Sequence, residues 1–198
     1  FPKATLVYDT EKLGISATLQ VFSPWIPGDI RHSSLPAVFF KFRIKNLKSV
    51  PINLSTLFIG RNLSGDWCVG RENKVSEDPR ALHLDFLNHD PTLNDPRHGV
   101  LRFSFEKKGW KTTFYESWNA VSRNFSFTRD NARLLAWDEF NLKGELSDAR
   151  SGLAASGENQ ELCGAVSARQ SLKPGEEKEW SFLASWYFPH HASYGHAY

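Results

Sequence analysis

The amino-acid sequence predicts a mainly β protein, an antiparallel β-sandwich with one short helical insertion. Three observations carry that prediction. Apolar and polar residues alternate through Ile15–Val21, Val38–Ile44 and Trp180–Trp186, the period-two pattern of strands that bury one face. Prolines and glycines punctuate the intervals between such runs. Only the segment near 131–142 breaks the pattern, with apolar residues recurring at helical spacing.

The elements follow in order. Ile15, Ala17, Leu19 and Val21 alternate with Ser16, Thr18 and Gln20 and read as a strand. Pro24 and Pro27 then stop sheet pairing, which leaves Trp25 on an irregular segment. Val38, Phe40, Phe42 and Ile44 define an apolar face; Lys41, Arg43 and Lys45 make the opposite face basic. Asn46–Ser49 reads as a polar turn and Pro51–Ile59 as the returning strand, so the pair is expected to form a hairpin. Gly60, Gly65 and Gly70 mark Gly60–Asn73 as a long loop. The stretch Ser76–His98, with Pro79, Pro91 and Pro96, reads as a strand flanked by loops. Leu101, Phe103 and Phe105 give a further strand, and Phe125 with Phe127 another.

Between Asn131 and Leu142, Leu134, Leu135, Trp137 and Phe140 form the stripe of an amphipathic helix. Gly144 supplies its C-terminal stop, and Thr128 or Asp130 its N-cap. The Pro-Gly turn in Leu172–Glu177 leads into the last strand. Its aromatic face of Trp180, Phe182 and Trp186 calls for an opposing sheet or a partner.

Composition narrows the function classes. The 198 residues are 40% hydrophobic, which excludes a disordered chain, and no linker divides them, so one domain over 1–198 is expected. Lys and Arg number 24 against 22 Asp and Glu, a net charge of +2 that gives no strong attraction for nucleic acid. No apolar run approaches the ~18–20 residues of a membrane span, and the chain is read as soluble. It contains no Met and opens on Phe1-Pro2-Lys3, so it reads as a processed protein or a piece of a longer one. Cys68 and Cys163 form no CxxC pair and are read as two unrelated buried thiols rather than a disulfide.

Candidate chemistry is sparse. His190, His191 and His196 crowd the tail without a carboxylate among them and read as a solvated or partner-facing segment; no metal site is expected. His83, His89 and His98 read as loop residues. Adjacent acids such as Asp138-Glu139 and Glu176-Glu177 read as solvated surface, and neither a phosphate loop nor a nucleophile elbow occurs. No catalytic residue and no cofactor are expected. Phe40, Phe42, Phe103 and Phe182 fall on strand positions that build a core, whereas Trp25, Trp67 and Trp110 sit in loop-like contexts open to a ligand. Asn53, Asn62 and Asn124 match the Asn-x-Ser glycosylation pattern.

Several stretches together resemble one family. Ile15-Ser-Ala-Thr-Leu-Gln-Val-Phe-Ser-Pro-Trp-Ile-Pro-Gly-Asp29 and Ser33-Ser-Leu-Pro-Ala-Val-Phe-Phe-Lys-Phe-Arg-Ile-Lys-Asn46 are similar to the N-terminal region of glycoside hydrolase family 116. Cys163-Gly-Ala-Val-Ser-Ala, Leu172-Lys-Pro-Gly-Glu-Glu and Phe182-Leu-Ala-Ser-Trp-Tyr-Phe-Pro189 resemble the end of that region, with the helix between them in its expected place. The family includes non-lysosomal glucosylceramidase and microbial β-glucosidases. The resemblance implies an N-terminal β-sandwich packed on a C-terminal catalytic helical domain, which carries the nucleophile and acid/base for β-glucosides or glycolipids. It also implies a soluble, cytoplasmic or membrane-peripheral protein. On this reading the present chain is non-catalytic, and Trp25, Asp29, Ser33, Ser34 and Trp67 are its candidate interdomain or sugar-contact residues. The other expectation is a stand-alone carbohydrate-binding module that uses the loop tryptophans.

Overall fold

A computed structural model describes residues 3–64, 70–88, 98–119, 131–150, 156, 161–191 and 196–197. The chain runs through β1 (Lys3–Tyr8), β2 (Ile15–Phe22), a four-residue helix α1 (Ile30–Ser33), β3 (Ala37–Asn46) and β4 (Ile52–Arg61). It continues through β5 (Arg71–Glu77), β6 (Ala81–Asn88), β7 (Val100–Glu106) and β8 (Lys111–Asn119). Helix α2 (Asn131–Lys143) precedes β9 (Leu162–Leu172) and β10 (Glu177–Tyr187); short strands β11 (His190–His191) and β12 (His196–Ala197) pair near the C-terminus. The main strands make two antiparallel sheets, one of seven in the order β1-β2-β3-β10-β7-β6-β5 and one of three in the order β4-β9-β8. The fold is the sandwich-like, mainly β architecture expected from the alternation.

The core lies between the sheets. Val75, Leu82, Leu84, Phe86, Phe105 and Trp180 of the larger sheet meet Phe114, Val166 and Ala168 of the smaller one. Phe58 of β4 reaches across to Phe103, Phe105 and Phe182, with ring centroids 4.7, 5.1 and 5.7 Å away. The aromatic face of the last strand is thus covered as far as Phe182. A third layer lies behind the small sheet, where Ala136 and Phe140 of α2 pack over Trp118, Cys163 and Ala165. Gly144 closes α2 at φ 70°, donating its N–H to the Phe140 carbonyl at 2.7 Å. Of the expected stripe Phe140 is packed and Trp137 is exposed, and Leu142 after it is exposed as well.

Four expectations change. The first is the hairpin. Strand β3 pairs with β2 and β10 in one sheet, whereas β4 pairs with β9 in the other. The corner between them is set by Asn46, which is fully buried. Its Nδ2 donates to the carbonyls of Val50, Leu172 and Lys173, and its Oδ1 accepts from the Lys48 N–H. A side chain that caps four backbone groups turns the chain out of one sheet and into the other.

The second is the Gly60–Asn73 loop, which is shortened at both ends by strands β4 and β5. Gly60 lies within β4 directly opposite Gly164 of β9. A Cβ on Gly60 would lie 2.9 Å from the Phe86 ring, and one on Gly164 would lie 2.9 Å from the Glu116 carbonyl and 3.1 Å from the Leu84 methyls. The paired glycines are a dent that receives the facing sheet, so here glycine marks close packing rather than a turn.

The third and fourth are β8, absent from the sequence reading, and Trp110. Phe114 of β8 faces the main core while Tyr115 and Trp118 face α2, across a break in register between Tyr115 and Trp118. A strand buried on both sides and bulged in the middle shows no alternation. Trp110, just before it, is buried and donates its indole N–H to the Glu179 carbonyl at 3.0 Å, which removes it from the exposed aromatics. The expected strand around Phe125, the Thr128 and Asp130 caps, and Cys68 lie outside the described residues.

The larger sheet is wider than its cover. Its outer face carries paired charges beside a stacked Phe22–Phe39 pair, and Arg102 binds Asp85 there through two hydrogen bonds of 2.6 and 2.7 Å. On the same face Glu179 accepts from Arg43 at 2.8 Å and from Ser181 at 3.0 Å. Burial alone would raise the Glu179 carboxyl; these hydrogen bonds, with the charges of Lys41 and Arg43, outweigh it and hold the group below its ordinary range.

Candidate functional site

The segment between β2 and β3 is an ordered, self-bonded loop. Its base is fixed where the Ser23 hydroxyl donates to the Ala37 carbonyl at 2.7 Å and the Trp186 N–H donates to the Pro36 carbonyl at 3.1 Å. At its tip Gly28 adopts φ 80°, allowing Ile26 and Asp29 to form a one-pair bridge. The Asp29 carboxylate then caps α1, accepting from the His32 N–H at 3.0 Å and lying 2.6 Å from the His32 ring. These contacts, the backbone N–H first, hold the Asp29 carboxyl below its ordinary range.

The remaining polar candidates are spent in the same way. Ser33 Oγ accepts from the Ile26 N–H at 2.8 Å and donates to the Ile26 carbonyl at 3.2 Å. Ser34 Oγ donates to the Arg31 carbonyl at 3.3 Å. The structure therefore brings Asp29 and Ser33 together around Ile26 and places Ser34 one residue on. The loop presents apolar side chains to the outside: Trp25 is 63% exposed and Ile30 84%, and Ile26 and Leu35 are exposed beside them. Direct readout of sugar hydroxyls needs free donors and acceptors; this loop instead uses those groups to fix a hydrophobic surface.

A match over nearly the whole chain gives this loop its setting. Residues 1–197 match the family model described as beta-glucosidase 2, glycosyl-hydrolase family 116 N-term. The chain belongs to that family. Among curated proteins, no relative matches it.

Within the family 116 N-terminal domain, the other candidates sort by location. Trp67 lies outside the described residues, as do His89 and Asn124. His83 bonds the Ser104 hydroxyl through Nδ1 at 2.9 Å and lies 3.4 Å from Asp78 through Nε2. That hydroxyl–imidazole–carboxylate order serves structure: the other Asp78 oxygen accepts from the N–H groups of Arg80 and Ala81 and holds the β5–β6 turn. In the tail, β11 and β12 place His191 opposite His196. Among the described residues no group of three metal-ligating side chains converges. Glu139 pairs with Lys143 one helical turn away, and Glu176 accepts from the Lys173 N–H and pairs with Lys178 to fasten the Pro-Gly turn.

Sequence reasoning missed a buried polar cluster beneath the β5–β6 edge of the sandwich. Asn62 is fully buried, and its Nδ2 donates to the carbonyls of Glu72 and Leu87 and to Asn73 Oδ1. Its Oδ1 accepts from the Ser64 N–H. Asn73 in turn donates to the carbonyls of Cys163 and Glu116 in the smaller sheet. The Asn62 sequon is consequently closed to glycosylation in the folded domain, whereas Asn53 is exposed on β4. The available signal was Arg71, Asn73 and Val75 in alternation, masked by the glycines before them.

Proposed function

We propose that this chain serves as the non-catalytic N-terminal β-sandwich of a retaining β-glucosidase or glucosylceramidase-like enzyme, a single domain that supports a downstream catalytic helical domain. The loop at Phe22–Pro36 is the contact, and one observation carries this reading. Asp29, Ser33, Ser34 and Ser23 satisfy the loop's own backbone, while Trp25, Ile26, Ile30 and Leu35 face outward. An exposed apolar cluster on a rigid base suits burial against another protein surface.

The test uses the 198-residue chain and the separately produced catalytic region. The chain alone is expected to leave a chromogenic β-glucoside unhydrolysed and to bind the catalytic region. Trp25→Asp is expected to weaken that binding by about tenfold or more. Hydrolysis by the chain alone, or equal binding by the variant, overturns the reading. Exposed Trp25 also supports a free-standing carbohydrate-binding module, for which titration with gluco-oligosaccharides is the check; heat at millimolar sugar that is lost in Trp25→Ala would establish it.

A further inference from the structure

The seven-stranded sheet ends in two edge strands, β1 and β5, and the fold guards only one of them. On β5 the Val75 N–H donates to the Glu116 carboxylate at 3.0 Å, and the Val75 carbonyl accepts from the Arg150 guanidinium at 2.9 Å. Further along, the Arg71 N–H donates to the Ser156 hydroxyl at 3.1 Å, and the Ser156 N–H returns to the Arg71 carbonyl at 2.7 Å. The exposed side chains of β5 are Lys74, Ser76 and Glu77. Occupied backbone groups and polar side chains both discourage the addition of another strand.

Strand β1 carries neither device. All six of its residues are exposed, among them Leu6 at 46%, Val7 at 77% and Tyr8 at 42%. It contains no proline, and its register with β2 runs unbroken from Lys3 to Tyr8, so no bulge turns the edge away. Lys3, at its first position, is its one charge.

We propose that β1 pairs antiparallel with β1 of a second copy of this chain, joining two seven-stranded sheets across a two-fold axis at Leu6. The sequence of the edge selects both occupant and register. Two copies of one edge meet about a two-fold axis, and a one-residue slip would set inner side chains against outer ones. Centred on Leu6, the pairing sets Lys3 opposite the partner's Asp9 at both ends of the joint. Within it Ala4 lies opposite the partner's Tyr8, and Thr5 opposite the partner's Val7. Asp9 directly follows the strand, and both it and Lys3 are exposed and make no ion pair among the described residues. A slip of two residues loses the match, placing Lys3 against the partner's Val7 or Asp9 against the partner's Thr5. Opposite charges directly across an antiparallel pair favour it, and like charges oppose it.

Sedimentation equilibrium of the 198-residue chain tests the proposal, with hydrogen exchange as the local readout. Rising concentration is expected to convert monomer to dimer and to slow amide exchange in residues 3–9 but not in β5. Lys3→Asp and Asp9→Lys are each expected to weaken the dimer about tenfold, because each sets like charges opposite at both ends. An equimolar mixture of the two variants should regain the affinity, since each supplies the charge that the other lacks. Leu6→Lys, an inward charge on the edge, is expected to keep the chain monomeric and its Tm within about 1 °C. A monomer at every concentration overturns the proposal, as does a dimer that the single variants leave intact. A mixture no tighter than either variant overturns the register, and exchange slowed in β4 instead of β1 assigns the dimer to the other sheet; either result sinks the proposal.

Discussion

Asn62 does more than its exposed neighbours suggest, because every donor and acceptor of its amide is used at a fully buried position. Truncation to alanine would strand two carbonyls, the Asn73 amide oxygen and the Ser64 N–H. Asn62→Ala is therefore expected to destabilise the domain by about 2–3 kcal/mol, lowering Tm by roughly 5–10 °C in a thermal melt. Asp29 works at the surface, and its effect is local. Its folded-state pKa lies below the ordinary value, so its cap is present above that value and is lost as pH falls through the depressed one. Acidification below the ordinary carboxylate range is expected to speed amide exchange across residues 29–34 ahead of global unfolding. Asp29→Asn, which keeps an acceptor but not the charge, should shift that acid response while leaving the core protected. Residue-scale legibility was correspondingly uneven. Asp29, Ser33 and Ser34 were visible as polar residues in a proline-bounded loop, but a hydroxyl bonded to its own loop and one offered to a ligand have the same sequence.

The strands with alternating apolar and polar faces were mostly legible; β1, exposed along its length, β5, masked by the glycines before it, and the strands buried on both sides were not. Strands β2, β3 and β10 alternate because each has one wet face. Strand β9 is buried without interruption from Leu162 to Ala168, between the large sheet and α2, and no period survives in it. The small residues of that run have a consequence that can be measured. Gly60→Ala and Gly164→Ala would each press a methyl group against the facing sheet, and each is expected to cost about 1–3 kcal/mol in denaturant unfolding. The double variant should fall short of additivity, because the two positions share one dent and Phe86 and Leu84 are neighbours in β6. Substitution at Gly175, which has open space around it but a positive φ of 73°, is expected to act through backbone strain alone.

At the scale of the whole molecule, one core between the two sheets fixes the sandwich. Phe86 is fully buried between Phe103 and Gly60, so Phe86→Ala is expected to destabilise by about 3–5 kcal/mol and to reduce cooperativity of unfolding. Leu6→Ser, on edge strand β1, is expected to leave Tm within about 1 °C in the isolated chain, since the side chain is already half in water. The contrast separates residues that hold the domain together from those available to a partner. By itself the sequence determined the fold class, the main alternating strands, the helix with its glycine stop and, through its motifs, the family, because each is written in local periodicity or local residue order. Sheet membership was decided only in three dimensions. Asn46 sends the chain from one sheet to the other by bonding carbonyls 126 and 127 residues away, and no local pattern encodes a partner at that distance. The loop's character was decided there too: which side chains remain for a partner depends on which polar groups the fold has already consumed.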